Sequence, residues 1–146
     1  NALNSMTAND YQEGRKLFKQ KGRGNGLDQV KARQKYEEEL SDSKFEENLE
    51  TMDPMSARNK ADKDSKDVMS TMAALHNPDQ ITGGIKSDAP LDMGLKNVNS
   101  SIGRGWGNKA TGETVSRVGS IDDAVTGVDP SVKDATKLNV KLERCK

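Results

Sequence analysis

The sequence has few of the residues that cross-link a small domain through disulfide bonds or metal ions, and it has few aromatic side chains. Among 146 residues there are one cysteine, one histidine and one tryptophan, and aromatic residues make up 3%. Cys145 alone excludes an internal disulfide bond and a cysteine-ligated zinc site. No apolar run approaches the roughly 20 residues of a membrane-spanning helix, and nothing resembles a secretory leader. Because the chain begins at Asn1 rather than methionine, we expect a piece of a longer protein.

Large aliphatic residues are also scarce, which predicts a small core. Leucine, isoleucine, valine and phenylalanine together make up 25 of the 146 residues, below the usual globular range. The net charge is nevertheless zero, whereas disordered chains usually combine low hydrophobicity with high net charge. Six methionines add apolar surface that fills irregular gaps. We therefore expect one folded domain over residues 1–146, which a partner, a metal or a substrate would stabilise further by binding the native state.

Zero net charge hides a strong segregation of charge along the chain. Residues 14–35 carry eight basic side chains against Asp28, and residues 37–53 carry eight acidic ones against Lys44. Clustered basic residues can contact phosphate groups even on a neutral protein. The same pattern is typical of solvated helix faces with ordinary ion pairs, and charge alone favours that interpretation.

The hydrophobic spacing predicts a mainly α-helical fold, with helices concentrated in the first half. The predicted helices are one capped by Thr7 or Asn9 and ending near Gly22, an amphipathic one over 27–52 with a possible break at 41–43, and one from Asp53-Pro54 toward Leu75. The second half is expected to be loop-rich, because residues 86–106 are polar and rich in glycine. Only a short helix capped by Ser120 and a last helix from Pro130 through Leu142 are predicted there. No sustained strand alternation is present.

A basic glycine loop is expected between the first two helices. Lys21-Gly22-Arg23-Gly24-Asn25-Gly26 contains three glycines in five residues, which break any regular element. It lacks the terminal Gly-Lys-Ser/Thr of a Walker phosphate loop. It remains a candidate for contact with a backbone phosphate.

The only histidine opens the most informative segment, His76-Asn77-Pro78-Asp79, which Gly83-Gly84 follows. The residue before a proline is pushed out of the helical region, so Asn77 should end a helix and cap a short turn. Asp79 then either fixes the tautomer of His76, which acts as a general base for water, or helps to hold a divalent cation such as Mg2+. Both chemistries suit phosphodiester hydrolysis. The alternative is purely structural: a histidine favoured by the helix dipole, with Asp79 as a cap.

Three segments carry a resemblance to a known family. They are Ala-Leu-His-Asn-Pro-Asp-Gln-Ile-Thr-Gly-Gly at 74–84, the stretch from Val98-Asn99-Ser100-Ser101-Ile102-Gly103 to Trp106, and the closing Leu-Asn-Val-Lys-Leu-Glu-Arg-Cys-Lys at 138–146. Together they resemble the polymorphic toxin type 15 domain, which lies at the C-terminus of bacterial secreted effectors, notably type VI secretion DNases. The hallmark of that family is His-x-x-Asp. The resemblance extends from about Tyr11 to the end of the chain.

The resemblance implies a metal-dependent DNase toxin that is secreted by the producing bacterium and delivered into the cytoplasm of a competitor. It implies His76 and Asp79 as the catalytic pair. We expect His76 to activate the attacking water, and Asp79 either to orient that water or to bind Mg2+ or another divalent cation. It also implies a DNA substrate, a cognate immunity protein as partner and no membrane insertion by this domain. The acidic residues 37–53 are then expected to lie away from the site or to meet the immunity protein.

Four further residues in the second half are candidates for substrate binding. Arg104 and Arg144 lie in the segments that carry the resemblance, and Asn99 and Ser100 can hold a phosphate or a metal-bound water. Backbone capping in a loop is an equal alternative for all four. Two other functions remain open: an RNase toxin, and a non-enzymatic helical interaction module that docks a partner through its acidic helix.

Overall fold

The computed structural model describes residues 2–86 and 91–141, and this part of the chain is mainly α-helical, as the sequence predicts. The helices and strands are α1 Ala2–Ser5, α2 Ala8–Lys21, α3 Leu27–Leu49, α4 Pro54–Thr71, β1 Met72–Leu75, β2 Asp92–Leu95, α5 Lys96–Gly107 and α6 Arg117–Thr126. Short 3-10 helices lie at Gln80–Thr82, Gly84–Lys86 and Pro130–Val132. None of the described helices combines the length and the hydropathy that crossing a bilayer requires.

The chain divides into two compact units. The first unit comprises Asn1–Asn25, His76–Ala89 and Ser101–Lys146, and the second comprises Gly26–Leu75 and Pro90–Ser100. Helix α5 therefore contributes residues 96–100 to the second unit and residues 101–107 to the first.

The second unit is built on the pairing of α3 with α4. Small residues and one methionine recur every four positions along the buried face of α4, at Ala57, Ala61, Ser65 and Met69. Such a stripe lets two helices approach closely and leaves room for polar contacts. The buried Ser41 of α3 donates a hydrogen bond to Asp62 of α4 at 2.6 Å, and Arg58 pairs with Asp42 at 2.9 Å. Polar contacts thus supplement a small apolar core.

The predicted continuation of α4 to Leu75 is wrong, because Met72–Leu75 form strand β1. This strand pairs antiparallel with β2, with Met72 opposite Leu95 and Leu75 opposite Asp92. The guanidinium of Arg33 donates to the carbonyl oxygens of Met69 and Met72 at the end of α4. Each strand has only four residues, too few for a visible alternation. The break expected at 41–43 is also absent, since the Ser41 hydroxyl bonds across to α4 and does not compete for the backbone of α3.

The second half contains more helix than its glycine content predicts. Residues 96–107 form α5, whose buried positions are Gly103 and Trp106. Burial of the large Trp106 ring outweighs the low helix propensity of glycine. Helix α6 begins after the capping residue Ser116, not at Ser120.

The last predicted helix is wrong as well. Among the described residues from Pro130 to Lys141 there is one 3-10 turn, and the chain then bonds to the N-terminal segment. Leu138 donates its N–H to the carbonyl of Met6 at 3.1 Å, and Lys137 forms a β-bridge with Thr7. These long-range backbone bonds replace the helical ones. Leu142 lies outside the described residues.

The first unit holds a core of seven buried side chains, to which α1, α2, α5 and α6 contribute: Leu3, Ala8, Tyr11, Trp106, Val118, Ile121 and Val125. The predicted start and end of α2 are confirmed. Thr7 and Asp10 form a reciprocal capping box, and Gly22 caps the other end.

A buried ion pair joins three parts of the first unit. Arg15 is 8% exposed, and its Nε and Nη2 donate to the Asp122 carboxylate at 2.8 and 2.7 Å. Its Nη1 donates to the carbonyl of Ile81 at 2.7 Å. Asp122 also accepts from the Tyr11 hydroxyl at 2.8 Å and from Lys19 at 3.1 Å. Helix α2 is thereby bonded to α6 and to the turn that contains Ile81.

The charges in this network determine how its members titrate. Burial by itself would raise the pKa of Asp122, but hydrogen bonds from Arg15, Tyr11 and Lys19 outweigh it and lower that pKa to about 2. Burial and the neighbouring Asp122 carboxylate raise the pKa of the Tyr11 hydroxyl. Asp122 is therefore charged, and Tyr11 neutral, across the physiological range.

We predict that Asp122→Ala destabilises the protein by about 3 kcal/mol, because it leaves the buried guanidinium of Arg15 without its counter-charge. Urea unfolding measures the change. Asp123→Ala is the matched control: it removes an exposed carboxylate from the next position of α6 and should change the free energy of unfolding by about 0.5 kcal/mol or less. Equal losses in both variants would contradict the role given to this ion pair.

The same network predicts a pH dependence of stability. The pKa of Asp122 is 3.8 without the fold and about 2 within it, so its contribution is complete above about pH 4 and disappears as the pH falls through 2. After allowance for solvent screening at a side chain that is 23% exposed, we expect about 1 kcal/mol. Asp122→Asn mimics the protonated carboxyl group. The gap in unfolding free energy between wild type and this variant should therefore shrink from pH 5 to pH 2, and a constant gap would oppose the assignment.

Candidate functional site

The candidate site is the turn that begins at the only histidine. His76 directly follows β1, and the peptide bond between Asn77 and Pro78 is cis. The predicted cap at Asn77 is wrong, because Asp79 is the residue that caps the 3-10 turn Gln80–Thr82. Asp79 Oδ1 accepts the N–H of Ile81 at 3.1 Å. His76 and Asp79 therefore lie on one short turn, but His76 follows a strand, not the helix end that the sequence predicts.

Hydrogen bonds and close backbone packing hold this turn in place. The carbonyl of Asp79 accepts hydrogen bonds from the N–H and hydroxyl of Thr82 and from the N–H of Gly84, at 2.8 to 3.2 Å. A Cβ atom on Gly84 would lie only 1.8 Å from the Pro78 carbonyl oxygen, so no other residue fits there without a shift of the backbone. The backbone of α2 approaches the glycine pair closely at Gly14, where a Cβ would lie 2.3 Å from the carbonyl oxygen of Gly83.

The imidazole of His76 meets a glutamine that sequence reasoning did not single out. His76 is half-buried, and its Nε2 lies 2.9 Å from Nε2 of Gln80, which is 8% exposed. An amide N–H that faces a ring nitrogen donates to its lone pair. For Gln80 to be the donor in this contact, the ring nitrogen must be unprotonated, which is the tautomer that carries its proton on Nδ1. The signal in the sequence is the position of Gln80, directly after the His-x-x-Asp motif.

The second oxygen of Asp79 faces α5. A Cβ atom built on the buried Gly103 would lie 3.5 Å from Asp79 Oδ2 and 3.5 Å from Nη2 of Arg23. Arg23 comes from the glycine loop after α2, and all three residues belong to the first unit. A carboxylate oxygen and a guanidinium nitrogen thus flank one small space above the helix.

The other predicted site residues have different positions. Arg104 is exposed on α5 directly after Gly103 and belongs to the first unit. Asn99 and Ser100 lie on the part of α5 that belongs to the second unit. Arg144 lies outside the described residues. His76, Asp79, Gln80 and Arg23 are the polar residues that the structure brings together.

The donor set limits how a metal ion would be held. Among residues 2–86 and 91–141, no group of three or more histidine, cysteine, aspartate or glutamate side chains is arranged to hold one. Because Asp79 Oδ1 caps the turn, Oδ2 is the oxygen left for a cation, and it faces Gly103 of α5. Mg2+ binds through one or two carboxylates and takes its remaining ligands from water and substrate phosphates. The residues present fit a cation of that kind, with Asp79 as the protein ligand.

Comparison with known proteins yields one family. The family model described as Novel toxin 15 matches residues 1–144, which includes the whole of the candidate site. A search of the curated proteins finds no match.

We predict that the neutral His76 ring carries its proton on Nδ1, because Gln80 donates to Nε2. Nitrogen-15 NMR measures the tautomer at about pH 8.5, well above the ordinary histidine pKa of about 6.5. The chain has a single histidine, so its ring signals need no assignment. Gln80→Met should reduce the share of this tautomer, whereas Gln20→Met, at an exposed position of α2, should leave it unchanged. A dominant Nε2–H tautomer in wild type would mean that the amide oxygen faces the ring.

Proposed function

The chain belongs to the Novel toxin 15 family, and on that premise we propose that it is an antibacterial DNase toxin domain. The observation that carries the proposal is the turn that presents His76 and Asp79 together, held by α2 and by Arg15. The reaction is hydrolysis of DNA phosphodiester bonds. Membership in a toxin family supports secretion as part of an effector, with delivery into the cytoplasm of the target cell and a cognate immunity protein in the producer.

In this mechanism His76 is the general base. In the tautomer protonated on Nδ1, Nε2 holds the only basic lone pair of the ring, so the Gln80 amide has to turn aside before Nε2 takes the proton from the attacking water. A turn of the Gln80 amide about its last bond then presents oxygen to the new N–H, because an amide offers a donor on one side and an acceptor on the other. Gln80 thereby accommodates both protonation states of the ring.

Asp79 orients the water or holds the divalent cation. Its Oδ1 is occupied by the Ile81 N–H, which holds the carboxylate in one direction and leaves Oδ2 for this task. When bound, Mg2+ or another divalent cation supplies charge neutralisation at the phosphate oxygens. Arg104 and Arg144 remain proposed phosphate contacts, as do Asn99 and Ser100 for the neighbouring substrate groups.

The immunity protein is proposed to meet the acidic surface of α3. Pairing with Arg58 leaves the Asp42 side chain 71% exposed, and Glu39 is 63% exposed beside Lys35. A dense acidic surface repels the DNA backbone and favours a basic partner. This part of the proposal concerns the second unit, whereas the catalytic residues belong to the first.

We predict that His76→Ala and Asp79→Ala each slow the cleavage of plasmid DNA by about 10²- to 10⁴-fold, the usual contribution of a general base or its equivalent. Nicking of supercoiled plasmid, followed on gels with and without EDTA, measures the rate. EDTA should abolish cleavage if the cation is required. Total RNA is incubated in parallel.

Asp79→Asn separates chemistry from folding, because an amide oxygen can still accept the Ile81 N–H while the charge is lost. It should keep the thermal stability of wild type and lose activity as Asp79→Ala does. Asp123→Ala removes a carboxylate elsewhere and should remain active. If wild type and both alanine variants leave DNA equally intact, the DNase proposal fails. Cleavage of RNA alone would favour an RNase toxin, and a protein that cleaves neither but binds a partner through α3 would favour an interaction module.

A further inference from the structure

Arg23 is an arginine beside the candidate site that the proposed mechanism does not use. It lies in the loop between α2 and α3, with a glycine on each side, and its side chain is exposed. Its guanidinium lies near the Asp79 carboxylate of the candidate site, and this position requires a chemical explanation.

The geometry around Gly103 defines what Arg23 can reach. The point where a Cβ of residue 103 would lie is 3.5 Å from Arg23 Nη2 and 3.5 Å from Asp79 Oδ2, so these two atoms are within about 7 Å of each other. They do not form one of the ion pairs of the described residues, which join N and O atoms within 4.0 Å. The space between them is bounded by the bare backbone of Gly103. Glycine permits a ligand to approach a helix closely at such a point.

The pairing of Arg23 differs from that of Arg15, Arg58 and Arg33. Arg15 is neutralised by Asp122, and Arg58 by Asp42. Arg33 donates to the carbonyl oxygens at the end of α4. Within the described residues, Arg23 has no hydrogen bond or ion pair of this kind. Its guanidinium is therefore available to an anion from outside.

We propose that Arg23 binds a non-bridging oxygen of the phosphodiester that is cleaved at the His76–Asp79 turn. The planar guanidinium donates in a fork that matches two phosphate oxygens. Gly103 forms the floor of this subsite and Asp79 its far side, where the attacking water or the cation is held. This inference rests on the proposed function and deepens it, since it names the group that receives the phosphate.

The position also suits a role in the reaction step itself. Negative charge increases on the phosphate oxygens as the water attacks, and a fixed donor aimed at those oxygens stabilises the transition state more than the ground state. Loss of such a donor typically slows a reaction by about 10²- to 10³-fold. Arg23 is therefore expected to affect kcat as well as substrate affinity.

The first test compares Arg23→Gln and Arg23→Lys with Lys63→Ala in the full chain. Lys63 is exposed on α4 and belongs to the second unit, so its loss lowers the net charge equally and removes no residue of the unit that holds this subsite. Arg23→Gln should lower kcat/KM for plasmid DNA by about 10²-fold, Arg23→Lys by less, and Lys63→Ala by no more than about threefold. Arg23→Gln within threefold of wild type would overturn the proposal, and so would an equal loss in Lys63→Ala.

A second test measures the binding of DNA separately from its cleavage. In a His76→Ala background, anisotropy of a labelled DNA duplex is measured over a range of salt concentrations. Removal of one phosphate contact should reduce the slope of log K against log salt by about 1 for Arg23→Gln, with no such change for Lys63→Ala. An unchanged slope for Arg23→Gln overturns the proposal. If wild type cleaves no nucleic acid, the proposed function fails, while this slope still decides whether Arg23 contacts phosphate.

A third test is Gly103→Ala, which should maintain or raise the stability of the protein but lower its rate of DNA cleavage. The added methyl group would make ordinary contacts with Arg23 and Asp79, and alanine is the better helix former. The variant should therefore melt at the same temperature as wild type or higher, yet cleave DNA at least about tenfold more slowly, because the methyl group occupies the floor of the subsite. A stable Gly103→Ala protein with full activity would overturn the proposed position of the phosphate.

Discussion

The first unit depends on the hydrogen bonds and the ion pair that the buried guanidinium of Arg15 makes. This guanidinium donates to Asp122 on α6 through two nitrogens and to the carbonyl of Ile81 through a third. A buried charge is tolerated only when its donors are paired, so neither α6 nor the turn can move without leaving a costly unpaired group. The turn that carries His76 and Asp79 therefore owes its position to an ion pair as much as to apolar packing.

Small residues let this chain fold with few large apolar side chains. Gly14 brings the backbone of α2 against Gly83, and Gly84 accommodates the Pro78 carbonyl. In the second unit, the stripe at Ala57 and Ala61 brings α4 close to α3, so that serine and carboxylate side chains bond between the helices. Where segments approach this closely, backbone atoms and short polar side chains pack against each other in place of large apolar side chains. Gly103 likewise lets Arg23 Nη2 and Asp79 Oδ2 come close to the backbone of α5, where the phosphate subsite is proposed.

Features of the fold that depend on neighbouring residues were predictable. The cap at Thr7, the end of α2 at Gly22 and the start of α4 at Asp53-Pro54 follow from local hydrogen bonding and from the fixed φ of proline. Features that depend on distant partners were not. Met72–Leu75 form a strand because β2 pairs with them, and α5 forms where a large tryptophan is buried. Residues 137–141 form no helix, because the backbone at Lys137 and Leu138 pairs with Thr7 and Met6 instead.

The sequence by itself determined that His76 and Asp79 share one turn, since only Asn77 and Pro78 lie between them, and it pointed to the toxin family. Only the tertiary structure decided what surrounds that turn. Gln80 faces the imidazole, Arg23 reaches the space beside Asp79, and Asn99 belongs to the other unit. The physical reason is range: steric limits and caps act over a few residues, whereas burial and charge pairing act between segments that are distant in the chain.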